Sequence, residues 1–260
     1  MRKVREKMYW TSAAIITAVQ IEADSVMRLY EQWDKITIPE DGQEYFAASF
    51  KRGHKSHKII TAMQDSMGMT AAATLASKII HEFRPEYLIM CGIAAGLGKD
   101  ADQIYGDIIV PDIVWDYSAG KFTVPDKAAI TFGSVGFMPR PVSIRADESV
   151  LNIVRDLKGH TEFELLVGPM ACGSAVIANR EVIEKQIHSL IPDTIGLDME
   201  SYGILYAAQN VTEPRPKAAI IKSICDYADQ EKSDQYQKFA AYTSSMFTKE
   251  LIEQHLPFIV

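Results

Sequence analysis

Residues 87–98 read YLIMCGIAAGLG, an almost wholly apolar run that passes directly into glycine and alanine. An apolar run without alternation has no face to offer water, so Tyr87 to Gly92 reads as a strand buried on both sides. It leads into Gly92-Ile93-Ala94-Ala95-Gly96-Leu97-Gly98, where small side chains let a ligand approach the main chain. Ligands of an open α/β sheet gather beyond the carboxyl ends of its strands, which is where this turn falls. The glycines lack the G-x-G-x-x-G order and the P-loop lysine, and no clear helix follows, so a phosphate-binding fingerprint is not read here.

Similar runs lie on either side. Strands are expected at Ala13 to Val19, Tyr45 to Phe50, Lys58 to Met63, Asp107 to Val110, Leu165 to Ile177, Thr194 to Leu197 and Lys217 to Ile224. Between them, helical periodicity predicts Glu22 to Trp33, Thr70 to Phe83, Glu148 to Leu157, Arg180 to Ser189, Met199 to Gln209 and Ser233 to Gln254. This alternation is the signature of βαβ units, and one α/β domain over residues 1–260 is expected. The stretch from Ser118 to Pro141 has Gly, Pro and little periodicity, and reads as an insertion or mobile loop.

Composition narrows the function. The chain has 260 residues, 47% hydrophobic and 23% charged, which excludes disorder, collagen and coiled coil. A formal charge of -7, with no basic cluster beyond the first seven residues, argues against nucleic acid as a partner. Cys91, Cys172 and Cys225 are odd in number and widely spaced, so they make neither a disulfide framework nor a metal-binding pattern; a reducing cytoplasm is expected. The opening MRKVREK and the apolar run after it imitate a signal peptide, but Gln20, Glu22 and Asp24 follow in place of a cleavage site. No run is long enough to span a membrane, and the sequon at Asn210 carries no meaning in the cytoplasm.

Acids sit where apolar runs end: Glu22, Asp198 with Glu200, and Asp226. Each has an ordinary structural reading. Glu22 and Glu200 suit the first turn of a helix, Asp198 suits an N-cap, and Asp226 could turn the chain. Their shared place at the sheet edge makes them candidates for chemistry.

The order CGIAAGLG, YGDIIVPD, MACGSAVIA, GLDMESYGILYAA and IIKSICDYAD resembles the nucleoside phosphorylase and nucleosidase superfamily over nearly the whole chain, and within it the methylthioadenosine/S-adenosylhomocysteine nucleosidase branch. The resemblance implies a mixed central sheet flanked by helices, a purine nucleoside or nucleotide as substrate, no cofactor, no metal, and a homodimer or higher homo-oligomer. It implies that Asp226 assists protonation of the purine at N7, that Glu22 activates water, and that Met199 and Glu200 hold the ribose. Ala94, Ala95, Val176, Ile177 and Cys225 are implied to line the substrate, Ile177 through its backbone. Cleaving an N-glycosidic bond passes through a cationic sugar, so a protonated leaving base and a nearby carboxylate are what the chemistry requires.

Phosphorylases of this family usually carry an arginine before the glycine turn and a serine or threonine within it; Met90 and Ile93 stand there. Without the bidentate guanidinium, and with Glu22 repelling an anion, hydrolysis is expected over phosphorolysis. A phosphorylase with an unusual phosphate site and a non-catalytic nucleoside sensor are the alternatives. The branch often frames the base with an acid and an aromatic ring, where this chain has Ser174 and Val176. Trp115 and Tyr117 are candidates for replacement stacking, with core or subunit packing as the alternative. Cys225 stands for a common serine and reads as a small filler. Tyr202 and the altered pocket resemble those of relatives acting on nucleotides, and a 5'-phosphate on the substrate could meet Lys121, Arg140 or Arg145. His54 and His57 read as solvated surface residues, and no G-x-S-x-G elbow is present.

Overall fold

The computed structural model describes residues 9–39, 41–98, 103–128, 130–132, 135–229 and 234–259. The basic run at Met1 to Lys7 and the expected helix start at Ser233 lie outside the described residues. Along the chain the elements are β1 (Thr11–Thr17), α1 (Gln20–Met27), β2 (Asp34–Thr37), β3 (Glu44–Arg52), β4 (Lys55–Met63), α2 (Met69–Phe83) and β5 (Pro85–Gly96). There follow β6 (Ile108–Asp116), β7 (Gly120–Thr123), β8 (Ile130–Phe132), β9 (Val135–Pro139), β10 (Val142–Arg145), α3 (Glu148–Leu157) and β11 (Leu165–Cys172). The last are α4 (Arg180–Val182, widening into a π turn at Ile183–His188), β12 (Gly196–Asp198), α5 (Ser201–Gln209), β13 (Lys217–Asp226) and α6 (Gln237–Glu250, ending in a π turn at Leu251–His255).

The result is a single α/β domain around a mixed sheet, as expected. β4, β1, β5 and β13 run parallel side by side, with Tyr87 of β5 level with Ala13 on one side and Lys217 on the other. A strand with neighbours on both sides and helices on both faces must be apolar throughout, and Tyr87 to Met90 are fully enclosed. Beyond β5 the sheet folds back: β13 pairs with β6, β6 with β11, β11 with β12, and β12 returns antiparallel to the end of β5. α2 buries Ala72, Leu75, Ala76, Ile79, Ile80 and Phe83 on one stripe, each large side chain contributing about 1.5–3 kcal/mol. Gly203 of α5 lies against the Met69 carbonyl of α2, where any side chain would overlap it.

Several elements differ from expectation. The stretch Ser118 to Pro141 holds a three-stranded antiparallel sheet, β7-β9-β8, in which Phe122 and Phe137 meet at 5.1 Å; strands this short leave little alternation to read. α1 stops at Met27 because the Trp33 indole donates to the Met27 carbonyl at 2.9 Å and closes the helix end. β11 stops at Cys172, and Gly173 after it lies against the Tyr117 ring, where a side chain would overlap it. α5 starts at Ser201, not Met199, and Glu200 is its N-cap position. Asp198 still serves the helix from further back, accepting the Ser201 N–H at 3.2 Å and the Ser201 hydroxyl. His57 is buried, stacked on Phe50 at 5.1 Å and hydrogen-bonded to the Ser12 hydroxyl at 3.0 Å. Its neighbour His54 is exposed. No helix among the described residues is long and apolar enough to cross a membrane.

Candidate active site

A cavity of about 390 Å³ opens at the carboxyl ends of β1, β5 and β13, within the range of small-molecule sites. Glu22, Glu200 and Asp226 all line it, although they come from three distant stretches of chain. Met199, Ala94, Ala95, Ile177, Val176 and Cys225 line it too. β12 arrives by a route the sequence did not suggest. It runs parallel to β11 and antiparallel to β5, which it meets at Ala95 and Gly96, so its carboxyl end leads Asp198 and Glu200 back into the cavity.

Glu22 is enclosed, not an exposed first-turn acid. At the third position of α1 its carboxylate reaches back to the N–H of Ala18 at 2.6 Å and of Val19 at 3.1 Å. Its other oxygen accepts the Ile93 N–H at 2.7 Å. That approach requires Gly92, because a methyl group there would overlap the carboxylate. Gly92 lies inside β5, which runs on to Gly96 where a glycine turn was expected, and this stretch packs against the Glu22 side chain.

Sequence reasoning missed the group at the centre. Lys222, in the middle of β13, is fully buried, with its Nζ 3.5 Å from Asp198, 3.8 Å from Glu200 and 3.9 Å from Glu22. Burial disfavours the ammonium, but Glu22, Asp198 and Glu200 outweigh it and hold the pKa above the ordinary lysine value. The available signal was a lysine inside an otherwise apolar strand, since a buried charge must be paired. Glu200 also accepts the Gly68 N–H at 2.9 Å, tying this side of the cavity to the start of α2. Burial raises its pKa above the usual carboxylate range, Lys222 opposes this, and Asp198 adds to it. Asp226 accepts the Ala228 N–H at 2.9 Å and the Cys225 thiol at 3.3 Å; Cys225 is thus a donor to the acid as well as a filler.

Other expectations are corrected. Trp115 is fully enclosed, its indole donating to the Thr194 hydroxyl at 3.3 Å, so it neither stacks on a base nor offers a subunit contact. Tyr117 lies behind the cavity wall and donates to the Ala175 carbonyl at 2.6 Å. No aromatic ring lines the cavity among the described residues. Lys121, Arg140, Arg145 and Tyr202 are also absent from its wall; Tyr202 lines a groove between α2 and α5. Among the described residues no cluster of histidine, cysteine and carboxylate groups could hold a metal.

An α/β sheet with acids converging on a cavity at its strand ends defines a class of small-molecule-binding domains. The profile of the phosphorylase superfamily matches residues 12–256, and the chain belongs to that family. An uncharacterised protein of Sinorhizobium fredii is 33% identical over 82% of this chain and 54% of its own length. An ATP nucleosidase of Escherichia coli is 22% identical over 96% of this chain and 52% of its own. The chain thus spans about half the length of these curated relatives. Among solved structures, the 5'-methylthioadenosine/S-adenosyl homocysteine nucleosidase of Helicobacter pylori shares the fold, with a TM-score of 0.74 and 17% identity over 95% of this chain and 100% of that one.

Proposed function

We propose that the protein hydrolyses the N-glycosidic bond of an adenine-type nucleoside or nucleotide, releasing the free base and the sugar. The observation that carries this reading is the convergence of Glu22, Glu200 and Asp226 on one cavity. Relatives named as nucleosidases support the reaction class.

In this reading the base lies against Asp226, whose carboxyl assists protonation at N7 as the purine departs. The sugar lies over Met199 and Glu200, the latter accepting from its hydroxyls. Glu22, held by three main-chain N–H groups, has its remaining lone pairs directed at a water and takes a proton from it as the anomeric carbon is attacked. Glu22, Asp198 and Glu200 outnumber the single ammonium of Lys222. The excess negative charge stabilises a cationic sugar more than the neutral substrate.

Phosphorolysis is disfavoured because no arginine or lysine lines the cavity among the described residues, and Met90, in the arginine position, is buried in the core. Met67 and Met199 also line an adjoining chamber with Ser66, Thr70 and Lys78, which gives room for a 5' substituent, phosphate included. Self-association is part of the reading, since Phe122, Val124, Val135 and Met138 stand exposed on the β7-β9-β8 arm. Among the described residues no disulfide forms, which suits a reducing cytoplasm. Chromatography of adenine released from methylthioadenosine, adenosine, AMP and ATP, each with and without phosphate, tests the proposal. Release without phosphate supports hydrolysis, strict phosphate dependence selects a phosphorylase, and binding without release selects a sensor.

A further inference from the structure

A second cavity of about 390 Å³ lies beside the β7-β9-β8 arm, and Ala175, Val176 and Ile177 line both it and the nucleoside cavity. The two differ in character. Among the described residues, the nucleoside cavity has carboxylates and no ring, whereas the outer chamber has the rings of Tyr117, Phe122 and Phe137 and no acidic or basic side chain. Its polar groups are neutral: Ser118, Asn179, Gln186 and a tyrosine hydroxyl already engaged by the Ala175 carbonyl. Only small or medium side chains stand in the shared wall, and the position where the resembling branch often carries an aromatic ring is Val176, itself more than half exposed.

We propose that the base end of the site continues past Ala175 and Val176 into this chamber, which takes an apolar group on the exocyclic amine of an N6-substituted purine. The inference rests on the hydrolase reading and adds to it that the purine turns its amine edge to the main chain at Ile177. A substituent on that amine is directed along the wall toward Val182 and the paired Phe122 and Phe137 rings, which meet at 5.1 Å. An uncharged, ring-lined chamber excludes a phosphate or carboxylate there, because an ion loses its hydration and gains no counter-charge. It accommodates an alkyl or aryl group, whose burial is favourable in proportion to its area. Tyr117, pinned under Gly173 and bonded to Ala175, holds the dividing segment in place and acts as a positioning residue.

The test is calorimetric titration of the intact chain with adenine and with N6-benzyladenine, alongside base release from the two corresponding nucleosides. Burying a phenyl ring predicts that N6-benzyladenine binds about tenfold or more tightly than adenine. Val182 lines the outer chamber alone, so Val182→Trp should fill it and remove that gain while leaving adenine binding unchanged. Phe122→Ala, at an exposed position that does not threaten folding, should reduce the gain about threefold or more. N6-benzyladenine binding no more tightly than adenine, or a gain that survives both substitutions in folded protein, overturns the inference. Base preference as predicted but no release from any nucleoside overturns only the hydrolase reading; release of adenine with rejection of the benzyl compound overturns only this one.

Discussion

Lys222 Nζ stands 3.9 Å from the Glu22 carboxylate, and neither residue reaches solvent appreciably. Their pairing is shared with Asp198 and Glu200, so one ammonium offsets three acids packed around it. Removing it leaves those buried acids uncompensated. Lys222→Met is expected to cost about 3–5 kcal/mol of stability, read from denaturant unfolding, together with loss of turnover. Wild-type stability in this variant would mean that the ion cluster carries no structural weight.

Gly92 is a substitution site that tests the geometry around Glu22 directly. A methyl group there overlaps the carboxylate, which must then swing off the Ile93 N–H. Gly92→Ala should lower kcat about 100-fold, as misplacement by an ångström does elsewhere, with the circular dichroism spectrum unchanged. Unaltered kcat would detach Glu22 from the chemistry.

Asp226→Asn keeps the shape of the cavity there and removes the carboxyl proposed to assist proton transfer. Turnover should fall by about 10² to 10⁴, while affinity for adenine stays close to that of the parent. Glu22→Gln should abolish hydrolysis with a similar preservation of binding. A rate within twofold of the parent for either variant removes that residue from the mechanism.

Glu200 sets function against stability. Burial holds its pKa above the ordinary carboxylate value, so the folded chain takes up its proton more readily than the unfolded chain. Stability therefore decreases as pH rises through the folded pKa. Glu200→Gln removes that cost and still accepts the Gly68 N–H, so the melting temperature should hold or rise by about 2–4 °C. Loss of the charge facing the cationic sugar should lower kcat/KM about 100-fold or more. A marked fall in melting temperature would contradict the assigned cost of the buried charge.

His57 predicts the opposite slope on the acid side. Burial, with Arg52 and Lys55 nearby, holds its pKa below the ordinary histidine value. The folded ring stays neutral where the unfolded one takes a proton, near about pH 6.5. Stability is thus full above that pH and declines as pH falls below it. Denaturant titrations at several pH values should show this decline, and His57→Phe should flatten it; an unchanged profile would place the acid sensitivity elsewhere.

The parallel core was legible because the largely apolar runs of β1, β5 and β13 alternate with stretches of helical period, as βαβ units do. The acids were legible because each ends such a run. What stayed hidden depends on contacts between distant residues. Nothing local to Lys222 announces that Glu22, Asp198 and Glu200 will surround it, or that β12 reverses direction to bring two of them there. The aromatic candidates failed for the same reason, since Trp115 and Tyr117 are placed by packing against Thr194 and Gly173, which no spacing reveals. The arm at β7 to β9 was read as loop because its strands are shorter than a pattern needs to repeat.

The account turns on where the new bond to the sugar comes from. Turnover of adenosine in ¹⁸O-labelled water, followed by mass spectrometry of the sugar, reads this directly. The account predicts one heavy oxygen at the anomeric carbon, free adenine in equal amount and no requirement for phosphate. An unlabelled sugar 1-phosphate formed only in the presence of phosphate would contradict it.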